Sequence, residues 1–234
     1  MTIKALTFDV FGTVVDWRTT IIDEVSRLGG AKGNNIDPAG FADVWRAGYK
    51  PAMDRVRRGE LPWMNLDALH RMLLDRLLRE FGISGMTETE KERINRVWHR
   101  LKAWPDSVGG LARLRKRFIV AALSNGNMSL LTNLSRNAGL SWDRILSAEL
   151  AGHYKPDKEV YQMAADLLKL RPGQVMMVAA HKEDLRGAQA AGFKTAFVLR
   201  PLEYGPAGSP DPEPDPAFDI IARDFNDLAE KLGV

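Results

Sequence analysis

Short apolar runs and longer mixed segments alternate along much of this chain. Residues 3–8 are apolar and β-prone, and Asp9 closes the run, so a first strand is expected to end there. Runs of the same kind recur at Phe118-Ile119-Val120-Ala121-Ala122-Leu123, Val175-Met176-Met177-Val178 and Thr195-Ala196-Phe197-Val198. Each is followed by a polar loop and then a helical pattern. Strands apolar along their whole length are buried on both faces, so this alternation predicts a parallel sheet covered by helices on each side.

Between about residue 17 and residue 100 the rhythm stops and helical segments follow one another. Asp37-Pro38 reads as an N-cap with proline at the first helical position. Asn65 precedes Leu66, Leu69, Leu73 and Leu77, and Thr87 with Glu90 forms a capping box. The pattern predicts a helical insertion over 17–100 and an α/β core built from 1–16 and 101–234. The proline-rich stretch from Gly205 to Pro216 reads as a surface loop. A last short strand around 219–222 and a helix from about Asn226 complete the expected fold. No internal repeat is visible.

Composition narrows the classes open to such a chain. Its 234 residues suffice for one sizeable domain, or a core with a smaller insertion. With 45% hydrophobic and 27% charged residues it is globular rather than disordered. It contains no cysteine, which excludes a disulfide framework, a thiolate metal site and a cysteine nucleophile. No run approaches the roughly 18 to 20 apolar residues of a membrane helix, and the N-terminus enters a strand pattern directly, so the expected location is cytoplasmic. A pI of about 9.2 invites a nucleic-acid reading, but the net charge is only +3. Arg55, Arg57 and Arg58, and Arg113, Arg115, Lys116 and Arg117, lie on helical patterns with acids nearby and read as solvated faces. Neither nucleic acid nor membrane is expected as a partner. A mild positive field suits a small anionic substrate.

In an open parallel sheet, ligands sit beyond the carboxyl ends of the strands. The polar residues at those positions are Asp9 and Thr13 after the first strand, Ser124 and Asn125 after the second, and His181 and Asp184 after a later one. Lys155 lies in Tyr154-Lys155-Pro156-Asp157, a loop before another helix. The expected fold brings these distant segments to one sheet edge.

In motif content and order the chain resembles the haloacid dehalogenase superfamily over essentially its whole length. Phe8-Asp9-Val10-Phe11-Gly12-Thr13 matches its nucleophile motif, Leu123-Ser124-Asn125-Gly126 the second motif, and Lys155 the third. Val178-Ala179-Ala180-His181-Lys182-Glu183-Asp184 stands where the acidic fourth motif belongs. The resemblance implies a Rossmann-like α/β core with an inserted helical cap. Phosphatases of the superfamily place a second Asp two residues after the nucleophile, where this chain has Phe11, and an acidic metal ligand where it has Ala180. Magnesium needs several oxygen ligands, so these departures argue against a metal and against phosphoryl transfer, and no cofactor is expected. An aromatic at position 11 with Thr13 retained resembles the type II L-2-haloacid dehalogenases, which act on small halogenated carboxylates and commonly form homodimers. That branch implies that Arg46, in Val44-Trp45-Arg46, faces the nucleophile and that Tyr161 belongs to the site.

The chemistry implied is hydrolysis through an aspartyl ester. A desolvated Asp9, kept ionised by Lys155, attacks C2 and expels halide; Arg46 attracts the halide while Ser124 and nearby N–H groups hold the substrate carboxylate. Water then attacks the ester, with Thr13 at the oxyanion and Asp184 orienting Lys155. His181 stands where relatives commonly carry Asn, and a neutral imidazole there accepts the water's proton. This His resembles a subset associated with fluoroacetate cleavage. Phe11, Asn125, Trp17, Trp45, Tyr49 and Trp63 are expected around a compact pocket. Two other readings stay open: a magnesium-dependent phosphatase of the same superfamily, and a binding or regulatory protein that kept the fold and lost catalysis. Each residue also has a structural alternative: Thr13 and Asp184 as helix caps, Ser124-Asn125-Gly126 as a turn, Arg46 in a surface ion pair, and His181 and Tyr161 as core hydrogen-bonding or packing groups.

Overall fold

The first strand, β1 (Ala5–Phe8), is buried at all four positions because it lies in the middle of the sheet. The computed structural model describes residues 2–32, 36–207, 211 and 213–234. A two-stranded antiparallel ribbon, β2 (Val15–Asp16) and β3 (Lys102–Ala103), closes the ends of the helical stretch between them. That stretch holds α1 (Trp17–Lys32), α2 (Pro38–Arg57), α3 (Leu66–Glu80) and α4 (Glu88–Asn95). The remainder alternates: α5 (Ser107–Leu114), β4 (Ile119–Ser124), α6 (Met128–Ala138), β5 (Arg144–Ser147), α7 (Lys158–Leu168), β6 (Val175–Ala179), α8 (Lys182–Ala190), β7 (Lys194–Val198), β8 (Ile220–Ala222) and α9 (Phe225–Lys231).

The six main strands pair in parallel in the order β5-β4-β1-β6-β7-β8. Period-two alternation divides their side chains between two apolar layers. Leu6, Phe8, Val120, Ala122, Met176 and Val178 pack with residues of α5, α6 and α9, whereas Ala121, Leu123, Met177 and Ala179 pack with α7 and α8. The register levels Phe8 with Ala122 and Val178. The segments that follow these strands therefore leave the sheet at one edge.

The strands expected from the apolar runs are present within a residue or two, and so is the parallel α/β architecture. β5 was not expected, since Arg144-Ile145-Leu146-Ser147 offers only two apolar residues; it pairs with β4 alone, at the sheet edge. Nor was the β2–β3 ribbon, whose strands are 86 positions apart in the chain, counting from Asp16 to Lys102, and too short to show a pattern. In the helical stretch the expected caps form: Asp37 accepts from Ala39 N–H, Asn65 from Ala68 N–H, and Thr87 and Glu90 cap each other reciprocally. Leu66, Leu69, Leu73 and Leu77 are all buried. Of the proline-rich loop, Gly208, Ser209, Pro210 and Pro212 lie outside the described residues. Among the described residues no helix is long and apolar enough to cross a membrane.

The turn after β1 is anchored from behind. Arg200 donates from Nε to the Thr13 carbonyl at 2.8 Å and grips Asp106 with both terminal nitrogens at 2.8 Å. This bidentate, buried pair holds the loop that carries Asp9 and Thr13 against the start of α5.

Candidate active site

Asp9 is the first residue beyond β1, its N–H bonded to the Val178 carbonyl at 3.0 Å and its side chain 10% exposed. The chain then doubles back through Gly12, whose φ of +85° lies where side chains other than hydrogen are strained. That turn returns Thr13, which donates from Oγ1 to Asp9 Oδ2 at 2.8 Å and accepts from Ala180 N–H at 2.9 Å. Lys155 Nζ lies between two carboxylates, 3.1 Å from Asp9 Oδ1 and 2.5 Å from Asp184 Oδ2. Asn125 fixes the lysine's backbone, accepting from Lys155 N–H at 2.7 Å. Tyr161 donates to Asp184 Oδ1 at 2.6 Å.

Burial by itself raises the Asp9 pKa, but the Lys155 charge, His181 and the Thr13 hydroxyl outweigh it and hold the carboxyl far below its usual range. For Asp184, burial and the like charge of Asp9 prevail over Lys155 and push the pKa up. Burial disfavours the charged form of Lys155, yet Asp184 and Asp9 more than compensate and raise its pKa. Asp9 is thus a desolvated but ionised carboxylate.

His181 sits between two acids. Nδ1 is 3.1 Å from Asp9 Oδ2, and Nε2 is 3.0 Å from each oxygen of Glu203. Burial works against the imidazolium, but the charges and hydrogen bonds of Glu203 and Asp9 outweigh it and raise the pKa well above the ordinary value. With a carboxylate at each ring nitrogen, the resting surroundings favour the doubly protonated His181 ring. The neutral imidazole expected from sequence belongs to the hydrolysis step, once the Asp9 charge is gone; of the two carboxylates that flank the ring, Asp9 was expected at this site and Glu203 was not.

Glu203 has no exposed surface and also accepts from Trp17 Nε1 at 3.2 Å. Its pKa is lowered, since His181 and Arg46 overcome the effect of burial. Arg46 Nη2 lies 3.9 Å from Glu203, and the guanidinium stands 4.8 Å from the centroid of the Tyr49 ring. Its Nε is buried and has no hydrogen-bond partner among the described residues. Three cations, Lys155, His181 and Arg46, therefore balance three anions, Asp9, Asp184 and Glu203.

These groups meet at a cleft of about 390 Å³ between α2 and the sheet edge, lined among others by Asp9, Phe11, Arg46, Tyr49, Asn125 and His181. Lys50 of α2 reaches Glu183 of α8 at 2.9 Å across its mouth. Among the described residues no three His, Asp or Glu side chains form a set able to hold a metal ion.

Several expectations need correction. Trp63 is 40% exposed and packs on Tyr154, 4.7 Å between ring centroids, at a separate surface groove. It lies in the link between α2 and α3, outside the lining of the cleft that holds Asp9. Ser124 does not line the cleft: it is wholly buried, and its Oγ accepts from Gly126 N–H, satisfying the turn. Tyr161 is also wholly buried and stands behind Asp184 rather than facing the cleft. Trp45 belongs to the interior of the helical stretch, donating to the His70 carbonyl and packing edge-on against Trp98. Trp17 lies beneath Arg46 and holds Glu203. Glu203 itself was missed. It follows β7 by five residues, so the strand-end rule that singled out His181 pointed to its segment, but an acid among Leu202 and Tyr204 carries no motif.

A site of this make-up, at the carboxyl edge of a parallel sheet and under a helical stretch inserted after the first strand, has the form of a haloacid dehalogenase-like hydrolase. The model of that family matches residues 3–192, and the chain belongs to it. Among its relatives, (S)-2-haloacid dehalogenase 1 of Pseudomonas sp. (strain CBS-3) is 33% identical over 209 residues, covering 86% of this chain and 88% of the relative. The crystal structure of the L-2-haloacid dehalogenase PA0810 superposes with a TM-score of 0.95 at 48% identity, covering 98% of each chain. That of the defluorinating L-2-haloacid dehalogenase Rha0230 superposes with a TM-score of 0.96 at 44% identity, covering 99% of this chain and 96% of the other. The chain is a hydrolase of the haloacid dehalogenase type.

Proposed function

We propose that the protein hydrolyses small L-2-haloacids and haloacetates to 2-hydroxy acids without a metal, through an ester on Asp9, and that residues 17–100 act as the cap over the site. The observation that carries this reading is the ionised, buried Asp9 held at once by Lys155, Thr13 and His181. The (S)-2-haloacid dehalogenase relatives supply the substrate class. Against a magnesium phosphatase stand Phe11 and Ala180, which offer no side-chain oxygen.

Asp9 Oδ1 has one donor against two on Oδ2, so it keeps the freer lone pair and attacks C2. The C2–Oδ1 bond forms as the carbon–halogen bond breaks, and halide leaves toward the unpartnered Nε of Arg46. Ester formation removes the Asp9 charge, and His181, with one flanking carboxylate left, sheds a proton to solvent. This is the single proton that the overall reaction releases. Water then adds to Cγ, giving one proton to Nδ1 of His181, while the Thr13 hydroxyl holds the oxyanion on Oδ2. As the Cγ–Oδ1 bond breaks, the second water proton passes to the departing alkoxide oxygen, beside which Lys155 stands. Asp9 is again a carboxylate and His181 again an imidazolium. Fluoride depends more than chloride on a strong donor in the transition state, and Arg46 provides one, so fluoroacetate falls within the proposed range.

The test is halide release from chloroacetate, L-2-chloropropionate and fluoroacetate with excess chelator, beside p-nitrophenyl phosphate. Halide release that ignores the chelator, with no phosphatase activity, is expected. Magnesium-dependent phosphate release without halide would overturn the proposal. In the same assay Trp63→Ala should keep kcat/KM within about twofold of wild type, as a surface change should. A tenfold rise in KM would place Trp63 back at the substrate.

A further inference from the structure

Glu203 belongs to none of the four motifs, yet it is built into the site more tightly than several residues that do. Both its oxygens lie 3.0 Å from Nε2 of His181, Trp17 Nε1 holds one of them at 3.2 Å, and Arg46 approaches to 3.9 Å. Its seat depends on the nucleophile loop as well: a Cβ on Gly12 would lie 2.1 Å from Oε1, so only glycine leaves room for it.

We propose that Glu203 is the positioning residue for ester hydrolysis: it turns Nδ1 of His181 toward Asp9 and keeps that imidazole basic once the ester has removed the Asp9 charge. The inference rests on the reading of Asp9 as nucleophile and His181 as proton acceptor. A neutral imidazole has two tautomers, and only the one protonated at Nε2 offers a lone pair to water at the ester. A carboxylate that accepts from Nε2 selects that tautomer and stabilises the imidazolium formed as water is deprotonated. The charges around His181 are Asp9 with Lys155 and Asp184 behind it, Glu203, and Arg46 from α2, with the Tyr49 and Tyr204 hydroxyls nearby. When Asp9 is esterified, Glu203 is the carboxylate left in contact with the ring. Glu203 touches neither substrate nor the reacting atoms; it acts through His181, and by the same carboxylate it steadies Arg46.

The test combines Glu203→Gln with rapid-quench kinetics on L-2-chloropropionate. The variant should release one halide per site in a burst, then slow about 10²- to 10³-fold as the ester accumulates on the Asp9 peptide, detectable by mass. The acid limb of hydrolysis should move to lower pH by about one unit, because His181 loses an opposite charge. Glu203→Asp, with a carboxylate drawn back by one carbon, should hydrolyse at an intermediate rate, and it serves alone if the Gln variant does not fold. Asp9→Asn imitates the lost charge of the ester, and in that background ¹⁵N NMR should show His181 titrating about one unit lower when Glu203→Gln is added. Unchanged hydrolysis in both Glu203 variants, or an unmoved His181 titration, overturns the inference while leaving Asp9 as nucleophile. Absence of any ester in the wild type overturns the Asp9 reading and this inference with it.

Discussion

Asp9→Asn is expected to abolish halide release, by at least about 10⁴-fold, with the fold retained. The amide occupies the same volume and can still accept from Lys155, but it is no longer an ionised nucleophile. Removing one negative charge lets His181 shed its proton, as the ester does, so Lys155 and Arg46 still balance Asp184 and Glu203 and the site should still bind a halocarboxylate. Binding without turnover is thus the expected signature, read by a halide electrode beside ligand-induced thermal stabilisation. Oxygen tracing gives a second check on the wild type. In a single turnover in H₂¹⁸O the product hydroxyl should carry ¹⁶O from Asp9 and the label should enter the Asp9 carboxylate. Label in the product, with none in Asp9, would mean direct displacement by water and would sink the ester mechanism.

Lys155→Met should be the most destabilising of the site variants. It leaves Asp9 and Asp184 buried side by side without the ammonium that both contact. Breaking a buried ion pair from one side costs about 3–5 kcal/mol, and activity should fall with the loss of the ionised nucleophile. The pH dependence follows from the sign of the shift. Without Lys155, burial and mutual repulsion raise the carboxyl pKa values above their unfolded values. Stability is then greatest below those unfolded values and is lost as pH rises from them through the raised folded values. In the wild type the depressed pKa of Asp9 works the other way: its contribution is full above the unfolded value and is lost as pH falls. Urea unfolding at pH 5 and pH 8 should therefore show the variant's deficit growing toward pH 8. Adding Asp184→Asn should recover most of the stability but none of the activity. A Lys155→Met protein as stable as wild type at pH 8 would mean that the two acids are not held by that charge.

Much of the fold was legible because its signals are local. Central strands such as Val175–Ala179 are apolar throughout, since both faces are covered, and the caps at Asp37, Asn65 and Thr87 act within three residues. Asp9, Thr13, Lys155, His181 and Asp184 stood out because each borders a strand end or falls within a short motif. What escaped were pairings and directions. Arg144–Ser147 becomes a strand through its neighbour β4, not through its own composition. The resemblance that named Tyr161 says nothing of its direction; its hydroxyl ends on Asp184, and the residue does not line the cleft. Trp63 was expected around a compact pocket without a motif to place it, and a large aromatic packs wherever an apolar surface lies open, here on Tyr154.

The sequence by itself determined the central strands of the sheet, the inserted helices and, Glu203 aside, the charged groups brought to one edge. It also determined, through Phe11 and Ala180, that side-chain oxygens are missing at two positions where a metal enzyme of this superfamily needs them. Only the tertiary structure decided the protonation of those groups. The protonated form of His181 is favoured at rest because Asp9 and Glu203, 172 and 22 positions away in the chain, both come within about 3 Å of its ring. A pKa depends on the distance to other charges and on the water removed around them. Both are properties of chain segments packed together, and neither is written in any one segment.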